Sequence, residues 1–334
     1  MGGMFMTFKE KISKIGFILS LAVIIILAIL VFQKRFIKNF QKVPFSIKLE
    51  RVIGTKYSLK GPADVFFQDN KIIYIVDSGN SRILKFNIQG KYIRQWGLQG
   101  GATGEFMVPL YGAVHNLNEG NPAIYIVDSG NSRIQVFTPQ GNFIKEFGRS
   151  KNAKKMLVEP TYIGFANGKI YIANSGANDI LIYFKNGQFY EKKDPQNKAK
   201  HNILKKPVSI AFSKKYIYVS DYKLSKILVF DKEFNLIGDI GTKGENGHKL
   251  FHPVGIVYKD GYLFAANYGR SIITVFKLSK GFNVIKSYNF GTPGIGGRNF
   301  NDESNISISK NGKYLAVADT NNNRIILYRI FGLD

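Results

Sequence analysis

An acidic and a basic side chain, five positions apart, recur along this chain of 334 residues. The pairs are Asp77/Arg82, Asp128/Arg133, Asp221/Lys226 and Asp319/Arg324. A row of carboxylates could supply general acid–base catalysis. In two further copies of the pattern, however, the acid is replaced by Asn174 and Asn267, and the base is lost at the same time. Because a lone, partly buried charge is costly, this joint loss predicts charge pairs with a structural role.

Residues for other kinds of site are few. The absence of cysteine excludes disulfides, thiolate catalysis and Cys-ligated zinc. The four histidines are His115, His201, His248 and His252. Only the last two share a loop, whereas a catalytic zinc site needs about three converging imidazoles. No G-x-S-x-G occurs, and the glycine-rich stretch at 291–297 lacks the Lys of a phosphate loop, so it is predicted to be an ordinary loop.

The charged pairs belong to a repeat. The segment "IYIVDSGNSRILKF" at 73–86 returns as "IYIVDSGNSRIQVF" at 124–137, with twelve of fourteen letters unchanged. Looser copies bring the hairpins to six, at spacings of 51, 46, 47, 46 and 52 residues. Their anchor residues are Asp77, Asp128, Asn174, Asp221, Asn267 and Asp319. Periods of this size in a chain rich in short strands indicate propeller blades.

Each copy carries the pattern of four strands. An Ile or Leu four positions before the anchor and an aromatic residue nine after it mark a hairpin. Two positions after the anchor, glycine in four copies predicts a turn with positive φ. A strand that opens with proline in five copies precedes the hairpin, and a short apolar strand follows it. The last copy lacks this fourth strand, so 47–54 is predicted to pair with the strand around 325–328 and close the ring.

The pattern "VDSGNSRIQVF", followed by "FIKEFG", resembles the NHL repeat, and the resemblance covers roughly 44–332. It implies an all-β, six-bladed β-propeller of four-stranded blades, closed by its N- and C-terminal strands. Together with an apolar N-terminal run, the chain looks like a bacterial, membrane-anchored protein of this family. Some NHL proteins bind RNA, and the zinc-dependent amidating lyases resemble NHL propellers, so the resemblance brings both activities into consideration.

In catalytic propellers the reacting groups lie where the innermost strands begin, around the central channel. Two positions after the proline column, that ring would consist of Asp64, Tyr111, Tyr162, Ser209, Gly255 and Asn305. Asp64 with Asn305 is a sparse version of the set that a metal-dependent propeller hydrolase needs. The sequence therefore predicts no catalytic or metal-binding residue, and Ca²⁺ in the channel is the one cofactor left open.

The N-terminal residues are predicted to form a separate unit. The 18 residues at 15–32 carry no charge, which is about the minimum for a bilayer-spanning helix, and no small-x-small cleavage site follows them. We predict a tail at 1–14, a transmembrane helix at 15–32, a linker at 33–43 and the propeller at 44–334. Four basic residues after the run and three before it favour a cytoplasmic propeller. The short Lys-bearing tail is nevertheless the usual layout of a signal anchor, so we expect a single-pass protein of the cell membrane with an extracytoplasmic propeller.

The net charge of +24 points to an anionic partner. The first 42 residues contribute seven basic residues and one acidic residue, which leaves +18 for the propeller. Two Lys-rich links between neighbouring blades, at 149–155 and 192–206, are the candidate surface. The predicted contact residues are Lys151, Lys154, Lys155, Lys198, Lys200, Lys205 and Lys206. Lysines also occur in turns at the opposite end of the blades, so a generally basic surface is the competing interpretation.

Together these patterns favour a non-enzymatic binding or scaffold module, a monomeric propeller that holds a protein or an acidic polymer. A metal-dependent hydrolase or lyase at the channel mouth and an RNA-binding propeller are the alternatives. An exported propeller disfavours a nucleic-acid partner.

Overall fold

A computed structural model describes residues 45–118, 120–152, 155–196, 202–241, 249–296 and 299–333. Within these residues the chain forms six four-stranded antiparallel sheets, the blades of a β-propeller. The first strand, β1 (Ser46–Ile53), belongs to the last blade. Blade one comprises β2 (Pro62–Phe67), β3 (Ile72–Asp77), β4 (Arg82–Asn87) and β5 (Tyr92–Trp96). Blade two comprises β6 (Pro109–Asn118), β7 (Asn121–Asp128), β8 (Arg133–Phe137) and β9 (Phe143–Phe147). Blade three comprises β10 (Pro160–Ala166), β11 (Lys169–Asn174), β12 (Asp179–Phe184) and β13 (Phe189–Lys193).

The second half of the chain repeats the same plan. Blade four comprises β14 (Pro207–Phe212), β15 (Ile217–Asp221), β16 (Lys226–Phe230) and β17 (Leu236–Ile240). Blade five comprises β18 (Pro253–Lys259), β19 (Tyr262–Asn267), β20 (Ile272–Leu278) and β21 (Val284–Phe290). A small parallel pair, β22 (Thr292–Pro293) and β23 (Asn299–Phe300), precedes blade six, which comprises β24 (Glu303–Ile308), β25 (Tyr314–Asp319), β26 (Arg324–Phe331) and β1. Short 3-10 helices occupy Thr55–Tyr57, Ser78–Asn80, Ser129–Asn131 and Thr320–Asn322.

The connections divide the propeller into two ends. We call the link face the end that carries the hairpin turns after each anchor residue and the links from one blade to the next. The turn face is the opposite end, where the first strand of each blade turns into the second and the third into the fourth. Two strands of each blade are buried on both sides, as in β3, where Tyr74, Ile75 and Val76 are fully buried. The core therefore lies between blades: Ile75 and Leu84 of blade one pack with Leu327 of blade six.

The anchor residue ties the preceding link to its blade. In all six hairpins its side-chain oxygen accepts a backbone N–H from that link, at 2.5–2.8 Å. The donors are Lys60, Met107, Val158, Lys205, Phe251 and Asn301. An amide oxygen accepts this bond as a carboxylate does, which explains why Asn174 and Asn267 replace aspartate in two blades.

In blades one, two and six the anchor also pairs with the predicted arginine. The Nε–Oδ2 distances are 2.7 Å for Arg82–Asp77, 2.7 Å for Arg133–Asp128 and 2.6 Å for Arg324–Asp319. The outer guanidinium nitrogens then donate to carbonyl oxygens of the same link, as Arg133 does to Ala102 and Glu105. The glycine-rich stretch at 291–296, which includes the short strand β22, lies in such a link, since the carbonyls of Ile295 and Gly296 accept from Arg324. Each arginine thus joins a link to its blade.

Blade four departs from the predicted pairing. The Lys226 ammonium lies 3.4 Å from Asp239 and not beside Asp221. The carboxylate of Asp221 instead accepts the backbone N–H groups of Lys205, Lys206 and Leu224. The prediction of an Asp221/Lys226 pair is wrong because three amide donors can stabilise a carboxylate without a cation.

The hairpin turns are where they were predicted, but among the four glycines two positions after the anchor only Gly269 has the predicted positive φ, at 77°. A positive φ that is common to all six turns occurs at another residue. It lies four positions after the anchor, at Ser81, Ser132, Asn178, Ser225, Ser271 and Asn323, with φ between 51° and 59°. Glycine at position 79 instead lets the hairpin turn approach the backbone of the link, since a Cβ there would lie 2.5 Å from the carbonyl oxygen of Lys60. Gly130 meets the Met107 carbonyl in the same way.

The predicted ring closure is confirmed. β1 pairs antiparallel with β26 from Ser46 opposite Phe331 to Ile53 opposite Ile325. Within the described residues no helix is long and apolar enough to cross a bilayer, and the predicted span at 15–32 lies outside them, as do the predicted tail and linker.

Removal of the closing strand should destabilise the whole ring. A chain that starts at Gly61 lacks β1, so it exposes the edge of β26 and uncovers apolar side chains of blades six and one. We expect a lower melting temperature and aggregation, measured by thermal unfolding with light scattering. A chain that starts at Phe45 retains β1 and serves as the control. Equal melting temperatures for these two chains would show that closure does not stabilise the fold.

Candidate functional site

The predicted channel ring is present, and its centre is a buried carboxyl group. Asp64 on β2 is fully buried. Its Oδ1 accepts the side-chain N–H of Asn305 on β24 at 2.7 Å, and its Oδ2 accepts the backbone N–H of Gly112 on β6 at 2.9 Å. Gly255 makes room for this arrangement, because a Cβ there would lie 2.0 Å from the Asn305 amide oxygen. Three blades therefore meet at one carboxyl group.

Two tyrosines divide the channel. The rings of Tyr111 and Tyr162 lie 4.4 Å apart. Tyr111 lines a cavity of about 160 Å³ on the link side, together with Ser209 and Asn305. It also lines a cavity of about 420 Å³ on the turn side. The Ser209 hydroxyl accepts the backbone N–H of Ile256 at 3.3 Å. The ring side chains thus hold the inner strands together and close the channel between two separate mouths.

Burial controls the protonation of this centre. Desolvation raises the pKa of Asp64 to about 7, although the hydrogen bonds from Gly112 and Asn305 lower it. Burial likewise raises the pKa of Tyr111 well above its ordinary value. A carboxyl group that titrates near neutral pH suits general acid–base chemistry, but it also arises wherever one acid is enclosed. The side chain is not exposed to either mouth, so the geometry favours a structural role.

The donor set does not fit a metal ion. Calcium takes six to eight oxygen ligands, whereas Asp64 is the one carboxylate of the ring and both its oxygens already accept hydrogen bonds. Among the residues that the structure describes, no three His, Asp or Glu side chains are grouped as metal ligands. The Ca²⁺ considered for the channel therefore lacks a suitable site in this ring.

The two described histidines stack on aromatic rings in different blades. The ring of His115 lies 4.1 Å from that of Phe165, and the ring of His252 lies 4.3 Å from that of Tyr222. Burial lowers the pKa of His115. His201 and His248 lie outside the described residues.

A cluster of aromatic rings covers the link face where blades four and five meet. We call Tyr222, Phe251, His252 and Tyr268 the aromatic cluster. Tyr222 and Tyr268 come from the two hairpin turns, and Phe251 and His252 from the link between them. The rings of Tyr222 and His252 stack with an angle of 11°, and the backbone N–H of His252 donates to Ser225 on the turn of blade four. Phe251 is 43% exposed.

Two cations border the aromatic cluster. The Lys206 ammonium lies 5.3 Å from the centre of the Tyr222 ring, and the Arg270 guanidinium lies 6.0 Å from that of Phe251. Both distances suit cation–π attraction, which leaves the charges available to a ligand above the rings. Lys205 is exposed beside Lys206. The surface therefore combines flat apolar rings with positive charge.

The other predicted lysines are only partly within the described chain. Lys151 and Lys155 are exposed on the link between blades two and three, and the Lys155 ammonium lies 5.5 Å from the ring of Phe189. Lys154, Lys198 and Lys200 lie outside the described residues. Thus the Lys205–Lys206 end of the second basic link is joined to the aromatic cluster.

The aromatic cluster was missed from the sequence, although the repeat contained a signal. The residue directly after the anchor is Ser or Thr in four copies and Tyr in the other two, at Tyr222 and Tyr268. A Ser or Thr side chain at this position can stabilise the fold, as that of Thr320 does by donating a hydrogen bond to the carbonyl of Pro62. Because the fold does not require tyrosine at this position, its occurrence in two adjacent blades indicates a surface with another role.

No protein-family model matches the chain. Among curated proteins, Protein brain tumor of Drosophila melanogaster is 28% identical over 154 residues, which are 45% of this chain and 14% of that protein. Peptidyl-glycine alpha-amidating monooxygenase of Mus musculus is 30% identical over 151 residues, which are 41% of this chain and 15% of that protein. The matches thus span a small part of each relative.

Solved structures show the same fold. A streptogramin B lyase superposes with a TM-score of 0.58 at 13% identity and covers 86% of this chain and 98% of its own. Virginiamycin B lyase from Staphylococcus aureus gives 0.56 at 14% identity, with 85% and 99% covered. At such identities the likeness establishes a six-bladed propeller and no activity.

The buried carboxyl group should make stability depend on pH. Because the pKa of Asp64 is raised from 3.8 to about 7, the fold favours its protonated form. This stability is fully present below about pH 4 and is lost as the pH rises through about 7, a loss on the order of 4 kcal/mol in the free energy of unfolding. Asp64→Asn should remove this component, as measured by urea unfolding at about pH 5 and about pH 8. If the free energy of unfolding depended on pH equally in both proteins, Asp64 would not be the group with the raised pKa.

Proposed function

We propose that this chain is a membrane-tethered, NHL-type propeller that acts as a non-enzymatic binding module for an acidic polymer. The observation that supports it best is the aromatic cluster with Lys205, Lys206 and Arg270 at its border. Such a surface offers rings for stacking and charges for attraction in one place.

The two parts of the surface have different tasks in this proposal. Exposed lysines raise the rate of association with a polyanion and are weakened by salt. The rings supply contact area at small cost in conformational entropy, because Tyr222 and His252 already hold each other in place. Binding would therefore retain a component that salt does not remove.

A hydrolase or lyase at the channel mouth receives less support. The Asp64 oxygens are engaged by Asn305 and Gly112, and its side chain reaches neither cavity. The amidating relative and the lyase structures are alike in fold, while the group that could react here is enclosed.

Neutralising the border of the aromatic cluster should weaken polyanion binding. The test variant is Lys205→Gln/Lys206→Gln/Arg270→Gln, and the control removes the same charge from the turn face as Lys214→Gln/Lys215→Gln/Lys313→Gln. We expect the full chain in detergent to elute from heparin at lower salt when the link-face residues are changed, because these charges act together on one ligand. The turn-face variant should elute closer to the unchanged protein. Elution of both variants at the same salt would show that the charge acts diffusely.

Single-stranded RNA is a second candidate, since the aromatic cluster places rings beside lysines, as RNA-binding surfaces require. Tyr222→Leu retains an apolar side chain but removes the stacking ring. If RNA is the ligand, poly(U) should bind more tightly than heparin at equal salt, and Tyr222→Leu should weaken poly(U) alone. Equal effects on both polymers would favour a ligand without bases.

Sidedness separates these candidates. Lys151 is exposed on the link face, and the chain has no cysteine, so Lys151→Cys introduces a single reporter thiol. We expect a membrane-impermeant maleimide to label it in intact cells, as an extracytoplasmic propeller requires. Labelling only after lysis would place the propeller in the cytoplasm and favour RNA.

A further inference from the structure

The described propeller begins at a fixed point on the turn face. Phe45 is buried, with its ring 5.5 Å from Tyr262 and 5.9 Å from Phe264, both on β19 of blade five. β1 starts at the next residue, opposite Phe331 near the C-terminal end of β26. The described propeller therefore begins beside blades five and six.

The turns around this point carry a band of lysines. We call Lys71, Lys214, Lys215, Lys259, Lys310 and Lys313 the lysine arc; they lie in or beside the inner turns of blades four, five, six and one. All are exposed except Lys259, which is half-buried. Its ammonium donates to the carbonyl of Lys310, which connects the turns of blades five and six.

Two acids lie in the inner turns that carry the lysine arc, and Asp231 and Glu233 lie in the neighbouring outer turn of blade four. Asp260 pairs with Lys259 at 3.1 Å. Asp69 accepts the backbone N–H groups of Lys71 and Ile72, which holds its carboxylate beside Lys71. With six lysines against two acids in these inner turns, the arc is net positive, and it borders Phe45, where the described propeller begins.

We propose that the turn face docks on an anionic lipid surface through the lysine arc. The inference rests on the membrane anchor of the proposed function. The twelve residues between the apolar run at 15–32 and Phe45 could extend at most about 40 Å, so the tether alone does not hold the propeller against the bilayer. Attraction between lysines and anionic headgroups supplies the contact. In this orientation the link face, with its aromatic cluster, points away from the membrane.

The test uses the full chain in vesicles of phosphatidylcholine, with and without phosphatidylserine. Lys280→Cys places a thiol on the turn face outside the lysine arc, and Lys151→Cys places one on the link face. We expect an impermeant maleimide to react roughly five-fold more slowly at position 280 when anionic lipid is present, and equally fast at position 151. The difference should vanish at about 1 M salt, where the screening length is about 3 Å.

Charge variants locate the contact. Lys214→Gln/Lys215→Gln/Lys313→Gln should abolish the protection at position 280, whereas Lys205→Gln/Lys206→Gln/Arg270→Gln removes the same charge and should preserve it. Equal reaction rates in both kinds of vesicle, from protein that floats with the vesicles, would overturn the docking and leave the anchor intact. Protein that does not float with the vesicles would overturn the anchor, and the docking with it.

Discussion

One hydrogen bond recurs in every blade and determines where the rest of the structure lies. An anchor oxygen, from Asp or Asn, accepts a backbone N–H of the link that leads into its own blade. Because each link ends where an innermost strand begins, this bond sets the height of that strand in the channel. The ring that encloses Asp64 can form only when all the inner strands start at matching heights. Where Arg82, Arg133 and Arg324 add further bonds to their links, the same constraint is reinforced.

The anchor hydrogen bond also leaves the side chains of the link face free to vary between blades. Once the link is bound through its backbone, the side chains around the turn need not serve the fold. Blades four and five use this freedom, since Tyr222 and Tyr268 replace the short hydroxyl residue of the other blades and the link between them adds Phe251 and His252. The candidate binding surface is thus made of positions that the repeat leaves unconstrained.

Periodicity was sufficient to predict the architecture. Six blades followed from the spacing of the repeat, whereas four strands in each blade and closure by the first strand followed from the residue columns within each copy. The predictions that failed depended on partners outside the hairpin motif from which they were made. Lys226 pairs with Asp239 on the next strand and not with Asp221. Glycine is required at position 79 because a Cβ there would clash with the Lys60 carbonyl, and not because of its φ. The aromatic cluster joins turns 46 residues apart in the chain, so no single copy of the repeat reveals it.

The closing strand also has a mechanical meaning. β1 runs from the turn face to the link face and is held to β26 by seven register pairs. Tension that pulls Phe45 outward from the turn face acts along the length of β1, so these pairs are loaded in shear and must yield together. A sideways pull would separate them one at a time. The ring is therefore closed by the strand that resists force applied where the described propeller begins.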